Sequence, residues 1–209
     1  MNLTDTELKQ IEHAVKELES KTRGEIVPIV LSQSRDYLEP RLILVLMGIL
    51  ASGVSSYLLH EVWGAGWSLS LTSFALELVL GAAVGIILGF IPGLRRRLVG
   101  AESLAEAVDL RAAAEFTRHG VMNTSDRCGI LLLVSLFEHR AEILADRGIH
   151  SQVPEGYWKS CLDRMMAQVK PQGLAAALCS GIAEIGELLA EKFPREAGTT
   201  NELSDHLRS

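Results

Sequence analysis

The positions of apolar residues divide this chain into amphipathic segments and one long apolar region. Within that region, residues 42–59 carry no charge and residues 69–91 carry one, Glu77. A run of about 18 or more apolar residues is long enough to cross the hydrocarbon core of a membrane as a helix. We therefore predict a transmembrane hairpin over residues 41–92, with its two spans at 42–59 and 69–91.

The segment before the hairpin predicts one helix and one strand. Apolar residues recur at helical spacing over residues 4–21, and Thr4 with Glu7 matches a capping box at the start. Residues 25–32 form a short β-branched run that is typical of a strand. Because Pro28 lacks a backbone donor, we expect this strand to lie at an edge of its sheet or to carry a bulge.

The segment after the hairpin predicts three helices and two strands. The helices are expected at residues 101–119, 154–169 and 174–193. The continuously apolar run 129–136 indicates a central strand, and residues 141–146 follow it closely enough for an antiparallel hairpin. The first strand of the chain must pair with these two, since an apolar strand with unpaired edges does not stay soluble.

This order of elements predicts an α/β fold, a three-layer sandwich around a small mixed sheet that is interrupted by the two-helix transmembrane hairpin. The cytoplasmic domain is then split into residues 1–40 and 98–194. The polar residues 195–209 are expected to form a flexible C-terminal tail.

Small residues recur four positions apart in both spans. In lipid, helices associate where small side chains let the backbones approach each other. We expect the two rows to face each other within one chain; the alternative is that one row joins two chains into a homo-oligomer. The first row is Gly48, Ser52 and Ser56, and the second is Gly81, Gly85 and Gly89.

Arginines outside the spans predict the orientation of the hairpin. Arg95, Arg96 and Arg97 follow the second span, whereas the linker 60–68 contains Trp63 and Trp67 but no Lys or Arg. Basic flanks remain in the cytoplasm, and cytoplasmic basic clusters also attract anionic lipid. We therefore predict a multi-pass protein of the bacterial inner membrane with both termini cytoplasmic and the lipid bilayer as its first partner.

Composition narrows the classes of function. The hydrophobic fraction is 48% and the mean hydropathy is +0.21, although 22% of residues are charged. The net charge of -6 argues against nucleic acid as a partner, because phosphate binding needs a basic surface. Three widely spaced cysteines without a CxxC motif fit reduced thiols in a reducing compartment. Glu77 is the one charged residue inside the spans, so a transport pathway is disfavoured against a protonated or hydrogen-bonded carboxyl.

Three acidic residues are candidates for a cation site. Asp126 precedes the predicted central strand, Asp146 ends its antiparallel neighbour, and Glu25 enters the first strand. Antiparallel pairing brings the start of one strand near the end of the other, so these carboxylates share one edge and can bind Ca²⁺ or Mg²⁺ through oxygen. The structural alternative is that Asp126 caps a turn and Asp146 pairs with Arg127 or Arg147.

The strand-entry segments resemble those of the TPM domain family. These are Thr22-Arg23-Gly24-Glu25-Ile26-Val27, Thr124-Ser125-Asp126-Arg127-Cys128-Gly129-Ile130-Leu131 and Glu142-Ile143-Leu144-Ala145-Asp146-Arg147-Gly148-Ile149. The chain is most similar to the bacterial membrane-anchored branch, in which two spans interrupt the domain and the tail carries Pro and Asn-Glu-Leu. Here those are Pro194 and Asn201-Glu202-Leu203.

The resemblance implies a three-layer α/β fold and a role in the assembly or repair of membrane protein complexes. Some members of the family are described as acid phosphatases, and divalent metal is associated with an acidic pocket in some. This sequence contains no CxxxxxR, DxDx[TV] or RHG phosphatase motif. We therefore expect an interaction or assembly module at the cytoplasmic membrane face, with a low-activity, metal-dependent acid phosphatase as the alternative and a channel or transporter subunit as a third hypothesis.

Overall fold

The computed structural model describes residues 3–63, 71–124, 126–195, 203, 206 and 207. The chain forms two compact units, Met1–Arg35 with Ala105–Ser209, and Asp36–Leu104. We call the first the globular unit and the second the hairpin unit. In chain order the elements are α1 (Asp5–Lys21), β1 (Glu25–Leu31), α2 (Glu39–Trp63), α3 (Leu71–Leu88), α4 (Pro92–Leu98), α5 (Ala101–Arg118), β2 (Gly129–Ser135), β3 (Arg140–Ala145), α6 (Arg147–His150), α7 (Tyr157–Gln172) and α8 (Leu174–Lys192).

The described strands form a three-stranded mixed sheet in the order β1-β2-β3. β1 runs parallel to β2 with Glu25 opposite Gly129, and β3 runs antiparallel to β2 with Ile130 opposite Ala145. The predicted pairing across the hairpin is therefore confirmed, as is the central position of β2. Pro28 lies in β1, which is an edge strand of the described sheet. Its backbone has no N–H to donate, and an edge strand has no second neighbouring strand that would need this hydrogen bond.

Helix α1 begins at the predicted capping box. The Glu7 backbone N–H donates to Thr4 Oγ1 at 3.3 Å, and the Thr4 backbone N–H donates to Glu7 Oε2 at 2.8 Å. These two bonds satisfy donors that the first helical turn leaves without intrahelical partners. The buried face of α1 carries Ile11, Val15 and Leu18 at the predicted helical spacing.

Both faces of the sheet are covered by helices of the globular unit, which gives three layers. On one face, Ile26, Ile130 and Ile143 join the core cluster that includes α1, α7 and α8. On the other face, Val27 and Leu131 pack with a smaller cluster that includes Val108 and Ala112 of α5. Because all seven β2 residues are buried, the continuous apolar run in that strand matches a strand covered on both sides.

The last two helices are joined at Gly173, which has a φ of 89°. Helix α7 extends to Gln172, three residues beyond the predicted end, with Pro171 in its last turn. Helix α8 ends before Pro194, as predicted, and Pro194 forms an isolated bridge with Thr22. The Thr22 hydroxyl donates to the Phe193 carbonyl at 2.6 Å, so the end of α8 is fixed to the turn between α1 and β1.

The two short helices α4 and α6 do not appear in the sequence-based expectation. Each is too short to show a hydrophobic period. Part of the tail lies outside the described residues, including Asn201 and Glu202. Leu203 and Leu207 pack against the two core clusters, and His206 Nδ1 lies 2.7 Å from Glu12 Oε1.

In the hairpin unit, α2 and α3 are long and apolar enough to cross a membrane, by length and composition. Helix α2 continues beyond the predicted span 42–59 into polar residues at both ends, because helical backbone bonds do not require apolar side chains. Helix α3 ends at Leu88, earlier than the predicted residue 91, since the chain turns at Gly89 and Phe90 before Pro92. Residues 64–70, with Trp67 of the predicted linker, lie outside the described residues.

Candidate functional site

The strand register places Glu25 and Asp146 on either side of Gly129. Glu25 is paired with Gly129 across the parallel ladder, and the Asp146 backbone N–H donates to the Gly129 carbonyl at 2.9 Å. Both acidic residues are buried, each with 6% of its surface exposed. We call this end of the sheet, where β1 and β2 begin and β3 ends, the acidic edge.

Asp146 caps the short helix α6. Its Oδ1 accepts a hydrogen bond of 2.6 Å from the Arg147 backbone N–H. Its Oδ2 is also buried and has no hydrogen-bond partner among the described residues. A buried carboxylate oxygen without a partner carries a desolvation cost, so this atom is the part of the acidic edge that a bound donor or cation would satisfy.

Asp126 lies outside the buried part of the acidic edge. Its side chain is 48% exposed, and its Oδ2 lies 3.8 Å from Arg23 Nη1. An exposed ion pair at that distance contributes little to stability. Of the three carboxylates that the sequence predicts at one edge, Glu25 and Asp146 are buried beside Gly129. Asp126 lies partly exposed beside Arg23.

Arg127 bonds through its side chain to a backbone carbonyl beside this edge. Its backbone is left-handed, with a φ of 54°, and its Nη1 donates to the Met122 carbonyl at 3.2 Å. The pairing of Asp146 with the side chain of Arg127 or Arg147 stays a prediction; the bond from Arg147 to Asp146 described above comes from its backbone N–H. Gly148 approaches this loop so closely that a Cβ there would lie 2.5 Å from the Arg127 carbonyl oxygen.

Cys128 adds a neutral thiol to the acidic edge. Burial is the main cause that raises its pKa, Asp126 and Asp146 raise it further, and Arg23 opposes them. Its Sγ lies 3.2 Å from the Asp126 carbonyl oxygen, and its backbone N–H donates to Thr124 Oγ1. A thiol with a raised pKa is a weak nucleophile near neutral pH. Cys161 is also free and buried, and Cys179 is free and partly buried.

Across the residues that the structure describes, no group of three or more His, Cys, Asp or Glu residues is arranged to hold a metal ion. The described geometry of Glu25, Asp126 and Asp146 thus does not form such a group. Binding of Ca²⁺ or Mg²⁺ at this edge stays a prediction.

At the opposite end of the sheet, a buried polar network was not predicted. The Ser34 hydroxyl donates to Ser135 Oγ at 2.9 Å, and the Ser135 hydroxyl donates to Glu138 Oε2 at 2.5 Å. Glu138 Oε1 accepts the Ser34 backbone N–H at 2.9 Å. Because Ser34 is about a hundred residues from its partners, no local spacing in the sequence could have signalled this network.

Helix α5 carries a buried carboxylate among basic groups. Glu115 has 4% of its surface exposed, and its oxygens lie 2.8 Å from Arg111 Nη2 and 3.0 Å from His119 Nε2. These pairs are spaced four residues apart, so one helical face positions them. The sequence offered this spacing, but the burial of Glu115 depends on tertiary packing.

In the hairpin unit, α2 and α3 touch through glycines. A Cβ at Gly48 would lie 2.1 Å from the Gly81 carbonyl oxygen, and a Cβ at Gly85 would lie 2.5 Å from the Leu44 carbonyl oxygen. Two other small residues of the predicted rows, Ser56 and Gly89, differ from each other in their surroundings. Ser56 is buried in α2, while at Gly89 the nearest α2 atom is 3.7 Å from the Cβ position.

The charged residues of the hairpin unit that the sequence predictions name lie on α3 and α4. Glu77 is half-buried on α3, and its role stays a prediction. Arg95 is buried on α4, and its pKa is lowered by burial first and by the neighbouring Arg41 second. Arg96 and Arg97 complete the basic segment of α4, whose predicted role in orientation is not tested by these contacts.

Comparisons with known proteins support the fold. The family model of the TPM domain matches residues 96–188, which is less than half of the chain and excludes β1. The NMR structure of BA42 protein from the psychrophilic bacterium Bizionia argentinensis is similar over 100% of this chain and 95% of that chain, with 19% identity and a TM-score of 0.61. No curated protein in the comparison matches the sequence. The resemblance to the TPM domain is therefore confirmed over residues 96–188, and the likeness to BA42 concerns the fold alone.

Proposed function

We propose that this protein is a membrane-anchored TPM-domain protein whose globular unit binds another protein, or a membrane protein complex, at the cytoplasmic face of the bacterial inner membrane. The observation that carries the proposal is the distribution of apolar side chains in the hairpin unit. Glycines occupy the contact between α2 and α3, while large apolar side chains point away from it. More than half of the surface is exposed for Leu42, Leu46, Leu50, Val79 and Ile87.

Exposed leucine, valine and isoleucine on two adjacent helices form an apolar surface far larger than a soluble protein leaves in water. Lipid tails cover such a surface without cost, and close glycine contacts are how helices associate in lipid. A bilayer is therefore the environment that suits both the glycine contact between α2 and α3 and the exposed apolar side chains on these helices.

The binding role is supported by the outer edge of β3. Within the described part of the chain, β3 pairs with β2 alone, so its other side is an edge of the sheet. Such an edge accepts an additional strand from a partner. Glu142 lies half-buried on β3, and its pKa is raised by burial first and by Asp109 second, while Arg140 opposes both. A charged group on an edge strand discourages pairing with any strand that does not complement it.

Membrane insertion is tested by fractionation and reporter fusions. We expect the full chain to stay in the membrane pellet after alkaline carbonate washing, and a reporter at the C-terminus to be active only in its cytoplasmic form. A reporter inserted in residues 60–68 should be active only in its periplasmic form. A protein released by carbonate, or a periplasmic C-terminus, contradicts the anchoring or the orientation respectively.

Partner binding is tested by site-specific photocrosslinking in native membranes. A photoreactive residue at position 140, on β3, should yield a defined adduct with another protein, whereas one at position 163, on the exposed face of α7, should not. Equal adducts from both positions, or none from either, would argue against the β3 edge. The phosphatase alternative stays a prediction, which is tested by phosphate release at acid pH with and without Mg²⁺ or Ca²⁺.

A further inference from the structure

A groove of about 530 Å³ lies at the end of the sheet opposite the acidic edge. It is open at the point where β2 runs into the turn before β3, and residues of α7 and the first residue of α8 form its other wall. All of its lining residues belong to the globular unit. Its volume falls within the range of about 300–1,000 Å³ that small-molecule sites in proteins occupy.

The floor of the groove is apolar and continuous with the core. Val134 and Leu174 are buried members of the larger core cluster, and Leu136, Met166 and Val169 pack against that cluster while remaining partly accessible. Methionine adapts its shape to different apolar neighbours. An alkyl chain placed here would therefore meet the same surroundings as a core side chain and would leave water on entering.

The groove is lined by one lysine and one histidine. Lys170 and His139 are exposed, and among the described residues no carboxylate lines the groove. Glu138 follows the strand nearby, but its two oxygens accept hydrogen bonds from Ser34 and Ser135. The Ser135 hydroxyl, which also lines the groove, is likewise engaged as a donor to Glu138. The polar end of a ligand is thus met at the rim by the Lys170 ammonium group and the His139 ring.

We propose that this groove binds a single-chain carboxylate amphiphile, a free medium-chain fatty acid. The alkyl chain lies on the floor formed by Val134, Met166 and Leu174, and the carboxylate lies at the rim beside Lys170 and His139. This assignment does not depend on the proposed role of the hairpin or of the β3 edge, since none of those residues lines the groove.

The test uses the full chain in nanodiscs of zwitterionic lipid and a diazirine analogue of dodecanoic acid as the probe. After irradiation, mass spectrometry should locate the adduct on α7 near Met166. Dodecanoate should compete for labelling, and dodecanol, which has the same chain without the charge, should compete about tenfold less well. Equal competition by dodecanol, or an adduct only on α2 and α3, would overturn the proposal.

Three variants separate the groove from general lipid contact. Met166→Trp fills the groove and should abolish labelling of α7. Lys170→Glu reverses the rim charge at an exposed position, so it keeps the fold and should reduce labelling about tenfold. The matched control Lys159→Glu makes the same charge change elsewhere on α7 and should leave labelling unchanged. If Lys159→Glu reduces labelling as much as Lys170→Glu, the fatty acid responds to net charge alone and the site is refuted.

A second occupant is distinguished in the same experiment. A short apolar peptide with a free C-terminal carboxylate offers the same charge on a different chain. We expect it to compete far less well than dodecanoate, because its backbone amides have no partners on an apolar floor. Competition equal to that of dodecanoate would replace the fatty acid with a protein C-terminus and overturn the proposal.

Discussion

Glu138 shows how a single buried residue fixes the point where the chain leaves the sheet toward the hairpin. Its carboxylate accepts the Ser34 backbone N–H and the Ser135 hydroxyl, and Ser34 in turn donates to Ser135. All three residues are buried. Because buried donors are costly when they lack acceptors, the network holds the segment after β1 against the turn between β2 and β3.

Replacing Glu138 tests that role. Glu138→Ala removes an acceptor from the Ser34 N–H and from the Ser135 hydroxyl, so we expect the free energy of unfolding to fall by about 2 kcal/mol. Denaturant unfolding of the full chain in micelles, followed by circular dichroism, measures the change. Glu155→Ala, at an exposed turn position, is the control and should change stability by less than about 0.5 kcal/mol. Equal effects of the two variants would show that the network does not hold the segment.

The buried thiol of Cys161 makes the free energy of unfolding depend on pH in the alkaline range. Burial, followed by Glu184, raises the pKa of Cys161 from 9.0 to about 12. The folded state therefore keeps a proton that the unfolded state releases above pH 9, and stability falls as pH rises between 9 and 12. At pH 10 this contributes a loss of roughly 1 kcal/mol. The free energy of unfolding of Cys161→Ala, measured from pH 8 to 10.5, should fall less steeply than that of the wild type; identical slopes would contradict the shift.

The predicted binding of a cation at the acidic edge is tested with substitutions of two of its carboxylates. Ca²⁺ or Mg²⁺ bound only by the folded state raises the melting temperature by mass action. We expect a rise at millimolar concentrations that is lost in the double variant Asp126→Asn with Asp146→Asn, which retains side chains able to cap. Glu155→Gln, which removes one negative charge from the exposed surface, is the control and should keep the rise. If neither Ca²⁺ nor Mg²⁺ changes the melting temperature of the wild type, the predicted metal site is refuted.

At the scale of elements, the sequence predicts what local periodicity determines and misses what tertiary contacts determine. Helices α1 and α8 were predicted nearly to the residue because their apolar faces repeat along many turns. Helices α4 and α6 have seven and four residues, too few to show a repeat. Pro28 predicted an edge position or a bulge for β1, and the sheet has β1 at an edge, whereas the partners of Glu138 are brought together only by the folded sheet.

The packing of α2 on α3 gives a prediction at this scale. Gly81→Ala places a Cβ 2.4 Å from both the Gly48 carbonyl oxygen and Ser52 Oγ, so the helices must separate. We expect a loss of about 1–3 kcal/mol in the stability of the full chain in micelles, the usual cost of overpacking. Gly53→Ala is the matched control on α2, because the nearest atom, Leu78 Cδ2, is 3.6 Å from that Cβ. A Gly81→Ala protein as stable as Gly53→Ala would mean that the two helices do not pack through Gly81.

On the scale of the whole molecule, the arrangement of the chain is an insertion. The globular unit receives Met1–Arg35 and Ala105–Ser209, and the hairpin unit lies between them in sequence. Strand β1 joins the sheet from before the insertion, and β2 and β3 join it from after. The apolarity of β1 indicated that it needed partners, but its parallel register with β2 could not be read from sequence, because either direction buries the same residues.

Removing the insertion tests whether the globular unit carries its own stability. We replace residues 42–91 with a flexible Gly/Ser linker and expect a soluble protein with a cooperative thermal transition, since both core clusters lie in the retained segments. Gly129→Val in the shortened chain is the control: its Cβ would lie 2.1 Å from the Val121 carbonyl oxygen, so the transition should be lost or lowered by several degrees. The control ensures that the transition reports the native packing of β2 at the acidic edge. A shortened chain that is unfolded in every buffer would mean that the hairpin is part of the folding core, and the two units would then be one cooperative structure.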